Sequence, residues 1–368
     1  MLVFRWERRI VGRSVVTVRS GKVDAESIRH AAGAVSRDLR FVWLAKMLQY
    51  DDREVVSPTP LTATAVICTR DRADDLERAL EGLTRQTRRA DEILVIDNAP
   101  SSDRTRDVVH RFSTVRYIRV PAPGLNLARN RAIAESSTDI IAFTDDDATP
   151  EPEWLESLLR NFGDPRVMCA TGLTLPSELE TEAQELFEQL SPFARGFRQR
   201  TFDGQHDNPL EVGFIGAGAN MALRRSIFDE VGPFDPRLDG GTPSRSGGDH
   251  EMFVRILAAG HRILYDPSAV SWHRHRRTHA ELMATLYGYG VGVYAMWTGL
   301  VLEQHEIGVA RLAWSWFRSA HWPEIRRAIH RRPPTIASSA VRSEFLGCLN
   351  GPRAWFASKR LATARGRE

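Results

Sequence analysis

The chain has 368 residues, of which 42 % are apolar and 26 % charged, the composition of a globular protein with enough apolar material for a sizeable core. Disordered and fibrous classes are therefore excluded. Its 50 basic and 47 acidic residues give a net charge of +3, which excludes the strongly positive field expected of a nucleic-acid-binding protein.

The sequence gives three indications about cellular location. Cys68, Cys169 and Cys348 are widely spaced and form no CxxC pattern, so neither a disulfide framework nor a cysteine zinc site is predicted. Residues 1–20 hold no apolar stretch of signal-peptide length. The longest weakly polar run, residues 291–302, is shorter than the about 20 residues that span a bilayer. We therefore expect a cytoplasmic protein without a membrane-spanning helix.

Strand and helix patterns alternate along the central part of the chain. Residues 9–19 have strand character, residues 25–49 have helical spacing, and residues 51–60 are typical of a linker. Further strands are predicted at 62–68, 92–97, 115–120, 139–144 and 263–265, with helices at 73–85, 103–112 and 126–135. This alternation predicts an α/β fold, a mostly parallel sheet with helices on both faces.

Polar residues follow the predicted strands where ligands bind in such sheets, beyond the carboxyl ends. Thr69 and Arg70 follow the first of these strands, and Asp97 follows the second. The fourth strand ends in three consecutive acids, Asp145, Asp146 and Asp147. Adjacent carboxylates repel one another, and a hard divalent cation such as Mg²⁺ or Mn²⁺ would offset that repulsion. A solvated acidic turn is the alternative.

Two later motifs carry candidate site residues. Asp249 follows the Gly-, Ser- and Pro-rich segment 235–248, which is typical of a mobile loop that closes over a substrate. Asp249 could instead simply cap the following helix. His273 lies in the basic run 272–277, where either a metal ligand or a surface cluster is expected.

The C-terminal segment has its own composition. Residues 297–368 contain five of the nine tryptophans and twelve basic against five acidic residues. This composition is typical of helices that lie on an anionic membrane surface. The alternative is that these tryptophans pack against the rest of the protein.

Eight short motifs occur in an order that resembles the family 2 glycosyltransferases of the GT-A fold. They are found at 65–71 (AVICTRD), 93–98 (ILVIDN), 124 with 128–130 (G, ARN), 143–147 (FTDDD), 216–220 (GAGAN), 232–235 (GPFD), 247–249 (GGD) and 272–273 (WH). The resemblance covers residues 62–277, with a looser match at 287–294. It departs from the family at Gly248, because the family commonly has Glu before the Asp.

The resemblance implies a domain organisation and an activity. We expect an N-terminal extension and linker at 1–60, a GT-A domain at 61–296 and a helical extension at 297–368. The activity implied is that of an inverting, hexosyltransferase-type enzyme using Mn²⁺ or Mg²⁺. The donor would be a nucleotide sugar, most commonly a UDP-sugar, and the acceptor a hydroxyl of a saccharide, a lipid-linked molecule or a natural product. A role in cell-envelope or polysaccharide biosynthesis would follow.

The family pattern also implies residue roles. The nucleotide sugar would be bound by Thr69, Arg70, Asp97, Arg129, Asp145 and Asp146. Asp145, Asp147 and His273 would form the metal site, and Asp249 would be the catalytic base. Because a nucleoside diphosphate leaves as a stable anion, a metal can replace the general acid that glycoside hydrolysis needs.

Other functions were weighed against this one. Residues 145–149 (DDDAT) also fit the motif of haloacid-dehalogenase-type phosphatases, with Asp145 as nucleophile, but that motif normally ends the first strand of its domain. A dinucleotide-binding domain lacks its GxGxxG after the first strand. A nucleotide-sugar-binding scaffold without turnover remains the non-enzymatic alternative.

Overall fold

The computed structural model describes residues 1–6, 9–18, 22–33, 61–329 and 336–365. The strands are β1 Leu2–Trp6, β2 Arg9–Ser14, β3 Ala63–Thr69, β4 Glu92–Asn98, β5 Val115–Val120, β6 Ile140–Asp145, β7 Ala148–Pro150, β8 Val167–Pro176, β9 Arg200–Asp203, β10 Asn220–Arg224 and β11 Arg262–His273. Residues 25–33 are helical, whereas residues 34–49 of the predicted helix and the predicted linker at 51–60 lie outside the described residues.

Eleven further α-helices are described after residue 61. They are Ala73–Thr84, Arg104–Val109, Leu125–Glu135, Trp154–Leu159, Glu182–Leu190, Ile227–Val231, Gly248–Ala258, His279–Gln304, Val309–Trp316, Trp322–Ile329 and Ile336–Arg365. None of the helices in the described part of the chain combines the length and the apolar character that crossing a bilayer requires.

A nine-stranded mixed sheet forms the centre of the molecule, in the order β5-β4-β3-β6-β10-β8-β11-β7, with β9 paired to β11. The strands β5, β4, β3 and β6 are parallel, and β10 is antiparallel to both of its neighbours. The prediction of a mostly parallel sheet is therefore confirmed for the first half. The second half is mixed, because β8 and β11 pair in parallel whereas β7, β9 and β10 run antiparallel to their neighbours.

The first strands are apolar on both faces because both faces are covered. Ala65 and Ile67 point into a core shared with the helix Ala73–Thr84. Val66, between them, points into a second core that contains Ala128 and Ala132 of the helix Leu125–Glu135. This alternation confirms the predicted arrangement of helices on both faces of the sheet.

The C-terminal helices pack against the central sheet and its helices rather than standing apart. The helix Ile336–Arg365 runs beside the helix His279–Gln304 at very short range, since a Cβ added at Gly290, Gly347 or Gly351 would collide with the facing helix. Trp297 and Trp355 are buried in the same core as β6 and β10. The domain boundary predicted at residue 297 thus falls inside a continuous helix, and the division into domains remains a prediction.

Candidate active site

The carboxyl ends of β3, β4 and β6 open into a cavity of about 830 Å³. Six of the predicted site residues line it, namely Thr69, Arg70, Asp145, Asp146, Asp147 and His273. The parallel strands explain most of this convergence, because they place the residues that follow them at one edge of the sheet. Asp97, Arg129 and Asp249 are not among the residues that line the cavity in the described part of the chain.

The three adjacent acids differ in their partners. Asp146 accepts hydrogen bonds from Thr69 Oγ1 at 2.7 Å and from Arg72 at 2.9 Å. Asp147 is ion-paired with Arg72 and lies 3.1 Å from Nε2 of His273. The triplet is therefore a partly buried, organised cluster and not a solvated acidic turn.

Strand pairing brings His273 to the acids from far along the chain. β11 runs antiparallel to the short strand β7, with His273 opposite Ala148. In addition, the backbone N–H of Arg274 donates to the carbonyl oxygen of Asp147 at 2.8 Å. The imidazole is thus held beside Asp147 by two backbone contacts.

Asp145, Asp147 and His273 offer ligand atoms that lie within 4.8 Å of one another. Two carboxylates and one imidazole fit a divalent cation that accepts oxygen and nitrogen ligands, as Mn²⁺ does; Mg²⁺ prefers oxygen alone. The donor chemistry of these residues therefore fits the predicted metal site.

The environment shifts the pKa values of the acids in opposite directions. Burial, reinforced by the charge of Asp147, raises the pKa of Asp145 to about 7 and that of Asp146 to about 6. Burial alone would also raise the pKa of Asp147, but His273 and Arg72 hold it well below its ordinary value. Asp147 is thus the ionised centre of the cluster, and a cation beside it would favour ionisation of its neighbours.

Asp249 lies in the first turn of the helix Gly248–Ala258. The N-cap is Gly247, whose φ of 97° is left-handed and suits glycine. Oδ2 of Asp249 accepts the backbone N–H of Gly218 at 2.7 Å, and Oδ1 accepts that of His250 at 2.8 Å. Although burial opposes ionisation, His250, Arg129 and these N–H groups lower the pKa of Asp249. A residue that only caps the helix would need no contact with Gly218, which lies in a separate loop.

Arg129 and Asp97 lie behind the cavity wall. Arg129 is 4 % exposed and donates to Asp239 at 2.7 Å and to Asn126 at 3.0 Å. Asp97 accepts a hydrogen bond from the hydroxyl of Tyr117 at 2.8 Å, while its buried Oδ1 has no partner among the described residues. Their predicted contact with a nucleotide remains a prediction.

The loop at 235–248 forms one wall of the cavity through Asp239, Gly240, Gly241, Arg245 and Ser246. Several bonds hold it in this position. Arg129 donates to Asp239, as described above. Ser244 is hydrogen-bonded to Ser358 at 2.8 Å, and Ser246 donates to the carbonyl oxygen of Gly288 at 3.0 Å. The loop therefore connects the cavity to both long C-terminal helices, and its predicted closing motion remains a prediction.

The sequence analysis missed several residues of the cavity wall. Arg72, Asp239, His275, Arg276 and Tyr289 all line it. Arg72 could have been found, because it follows the same strand end as Thr69. Tyr289 lies within the looser match at 287–294, which was the one signal for it in the sequence.

Comparison with known proteins agrees with this geometry. Residues 64–232 match the model of the family described as glycosyl transferase family 2. This match agrees with the resemblance that the motifs predicted, over the residues that it covers. Together with the observed sheet, this match confirms the predicted GT-A fold with its helical C-terminal extension.

Curated relatives match over a similar region. The pre-mycofactocin glycosyltransferase of Mycobacterium tuberculosis H37Rv is 30 % identical over 241 residues, covering 63 % of this chain and 47 % of its own. The glycosyltransferase AglE of Haloferax volcanii is 26 % identical, covering 61 % and 70 %. The chain thus spans about half the length of the mycobacterial relative.

Among solved structures, the mannosyltransferase PcManGT of Pyrobaculum calidifontis, in complex with GDP-Man and Mn²⁺, has 18 % identity and a TM-score of 0.48. It matches over 90 % of this chain and 83 % of its own. Glucosyl-3-phosphoglycerate synthase of Mycobacterium tuberculosis, with Mn²⁺ and UDP, has 20 % identity and a TM-score of 0.43, covering 67 % and 81 %. Similarity of this degree says nothing about the donor of this chain.

Proposed function

We propose that this protein transfers a sugar from a nucleotide-sugar donor to an acceptor hydroxyl, with a divalent cation and with inversion at the anomeric carbon. The observation that carries the proposal is the grouping of Asp145, Asp147 and His273 on a cavity that follows the parallel strands. The family match supports the same reaction class.

The cavity residues suit a diphosphate. Asp145, Asp147 and His273 would hold the Mn²⁺ or Mg²⁺ ion, which would supply Lewis acidity and charge neutralisation to the leaving diphosphate. Arg72 and Arg276 lie beside the same acids and can pair with phosphate oxygens. Thr69, Arg70 and Asp97 would bind the nucleoside, for which uracil is our proposed base.

We propose that Asp249 is the general base that accepts the proton of the acceptor hydroxyl. Its lowered pKa keeps it ionised at neutral pH, so that it can accept a proton, and the Gly218 N–H fixes its orientation. Attack by the acceptor oxygen opposite the leaving diphosphate would invert the anomeric centre. Access of the acceptor to Asp249 then requires movement of the surrounding wall, for which the loop at 235–248 is the proposed element.

The proposal is tested by following release of nucleoside diphosphate from UDP-, GDP- and dTDP-sugars by the purified chain with Mn²⁺. Slow hydrolysis by water reports the reaction without a known acceptor. A sugar donor that is bound but never cleaved, with any acceptor class offered, would favour the non-catalytic scaffold. Release of phosphate from simple phosphomonoesters would favour the phosphatase alternative, with Asp145 as nucleophile.

We also propose that the protein acts at the inner face of the membrane through its C-terminal extension. Three large apolar side chains, Leu346, Leu349 and Phe356, are at least half exposed on the helix Ile336–Arg365. Their spacing of three and seven residues places them on one face of the helix. Three exposed arginines, Arg342, Arg353 and Arg360, share this face.

Aromatic residues extend this surface. Phe317 packs against Trp314, Trp322 and Phe345, with ring centroids 5.8, 6.2 and 5.9 Å away. Trp314 and Trp322 are 62 % and 45 % exposed. An apolar surface with aromatic and arginine side chains is suited to anionic lipid headgroups. The acceptor would then be lipid-linked, delivered at the same surface.

A further inference from the structure

A continuous series of bonds links the N-terminal hairpin, defined as β1 with β2, to the candidate metal site. Nδ1 of His273 lies 3.0 Å from Nδ1 of His275. Nε2 of His275 lies 2.7 Å from Oε1 of Glu188, and the other oxygen of Glu188 is paired with Arg13. The side chains of His275 and Glu188 are only 1 % and 6 % exposed, so water does not compete for these bonds.

One placement of hydrogens on the ring nitrogens of His273 and His275 satisfies all of these hydrogen bonds. A carboxylate only accepts, so Nε2–H of His275 donates to Glu188. Arg13 already balances the charge of Glu188, and His275 packs against Phe187 with ring centroids 4.4 Å apart, which favours a neutral ring. Nδ1 of a neutral His275 is then an acceptor, and Nδ1–H of His273 donates to it. Nε2 of His273 consequently faces Asp147.

Two further contacts attach the hairpin to the pair of strands β7 and β11. Arg5 is paired with Glu151, whose Oε1 also accepts the indole N–H of Trp272 at 2.8 Å. Ile10 is fully buried in a cluster that includes Tyr265 and Val270 of β11. The hairpin therefore contacts the middle of β11 directly and the end of β11 through Glu151.

We propose that the N-terminal hairpin orients the metal ligand His273, acting through Arg13, Glu188 and His275 as positioning residues. This proposal rests on the proposed function, since it concerns the divalent-cation site. Residues that hydrogen-bond to a metal-binding histidine fix its orientation, and their loss commonly weakens metal affinity about 10- to 100-fold. The role belongs to residues 2–14, for which neither the motifs nor the family match gives a function.

The test is the affinity of the full chain for Mn²⁺ alone, measured by the electron paramagnetic resonance signal of the free ion. His275→Leu removes the acceptor for His273 and should weaken Mn²⁺ binding about 10- to 100-fold. His275→Asn can return an acceptor oxygen and should recover most of the affinity. A fall of equal size in both variants would overturn the orienting role.

Arg13→Met tests the hairpin itself, with Arg262→Met as the matched control. Arg262 pairs with Asp164 and Asp203 at the opposite end of β11. Both variants should lower Tm, but only Arg13→Met should weaken Mn²⁺ binding, and it carries the test if His275→Leu does not fold. Unchanged affinity in folded Arg13→Met would overturn the hairpin's role alone. Absence of Mn²⁺ binding in the wild type would overturn the proposed metal site as well.

Discussion

The backbone N–H of Gly218 donates to Oδ2 of Asp249 over 2.7 Å and joins a loop to the first turn of the helix Gly248–Ala258, 31 residues later. A Cβ at Gly218 would lie 2.7 Å from a guanidinium nitrogen of Arg129 and 3.1 Å from Oδ2 of Asp249. Both distances are too short for an undisturbed contact. A side chain at this position would therefore displace Arg129 or Asp249, so glycine leaves Asp249 in its observed orientation.

We expect Gly218→Ala to displace Asp249 and to lower the rate of donor cleavage at least 10-fold, because a small misplacement of a catalytic group is costly. Gly213→Ala is the matched control, since a Cβ there meets nothing within 4 Å. Measured under saturating donor, the control should keep the wild-type rate. Equal rates in the two variants would remove the argument for a fixed Asp249.

We expect Asp249→Asn to lower turnover about 100- to 10 000-fold while leaving donor affinity nearly unchanged, because a general base acts in the transition state. Asparagine has the same size and an oxygen that can accept the Gly218 N–H, so the fold should be preserved. The measurement is kcat against donor affinity, with Tm as the check on folding. Wild-type turnover in this variant would end the role of Asp249 as base.

Trp355 and Phe356 are adjacent in the C-terminal helix, and we expect only Trp355 to contribute strongly to stability. Trp355 is 2 % exposed in the core and Phe356 is 50 % exposed. We expect Trp355→Ala to lower the free energy of unfolding by about 3 to 5 kcal/mol and Phe356→Ala by less than about 0.5 kcal/mol. Denaturant unfolding measures both. Similar losses would mean that the helix does not pack as described.

The membrane proposal predicts binding to anionic vesicles that added salt weakens. The tail variant neutralises Arg342, Arg353 and Arg360 to glutamine. The control variant makes the same charge change at Arg78, Arg104 and Arg111, which are also exposed. Cosedimentation should be lost in the tail variant and kept in the control. Equal binding by both variants, or binding to neutral vesicles, would contradict the proposal.

The sequence predicted the first half of the sheet because three of its four strands, β3, β4 and β6, are short, apolar and buried on both faces. The predicted strand 115–120 coincides with β5, β4 extends one residue beyond its prediction, and β3 and β6 are each shifted by one residue toward the C-terminus. The second half was harder. Only residues 263–265 were expected to form a strand there, whereas β11 extends over Arg262–His273. Its long-range partners, such as β8, leave no local pattern.

The site was predictable where residues follow strands and not where distant segments meet. Asp145 ends β6 and Asp146 and Asp147 follow it directly, so their place was evident from the pattern. The pairing of His275 with Glu188 joins residues 87 apart, and nothing in either local sequence indicates it. Arg129 was expected on the nucleotide, but its contact with Asp239 depends on a loop 110 residues later.

The metal site can be tested independently of any acceptor. We expect a nucleoside diphosphate to raise Tm of the wild type with Mn²⁺ and not with EDTA, because a ligand of the folded state stabilises it. Asp147→Asn should abolish that shift, whereas Asp229→Asn, at an exposed position in the helix Ile227–Val231, should retain it.

The most direct measurement is therefore the thermal shift with UDP, GDP and dTDP, each with Mn²⁺ and with EDTA, in the wild type and in Asp147→Asn. The account predicts a shift of several degrees for one diphosphate, only in the wild type and only with Mn²⁺. An equal shift in EDTA, or in Asp147→Asn with Mn²⁺, would contradict the assignment of Asp145, Asp147 and His273 as a metal site for nucleotide-sugar transfer.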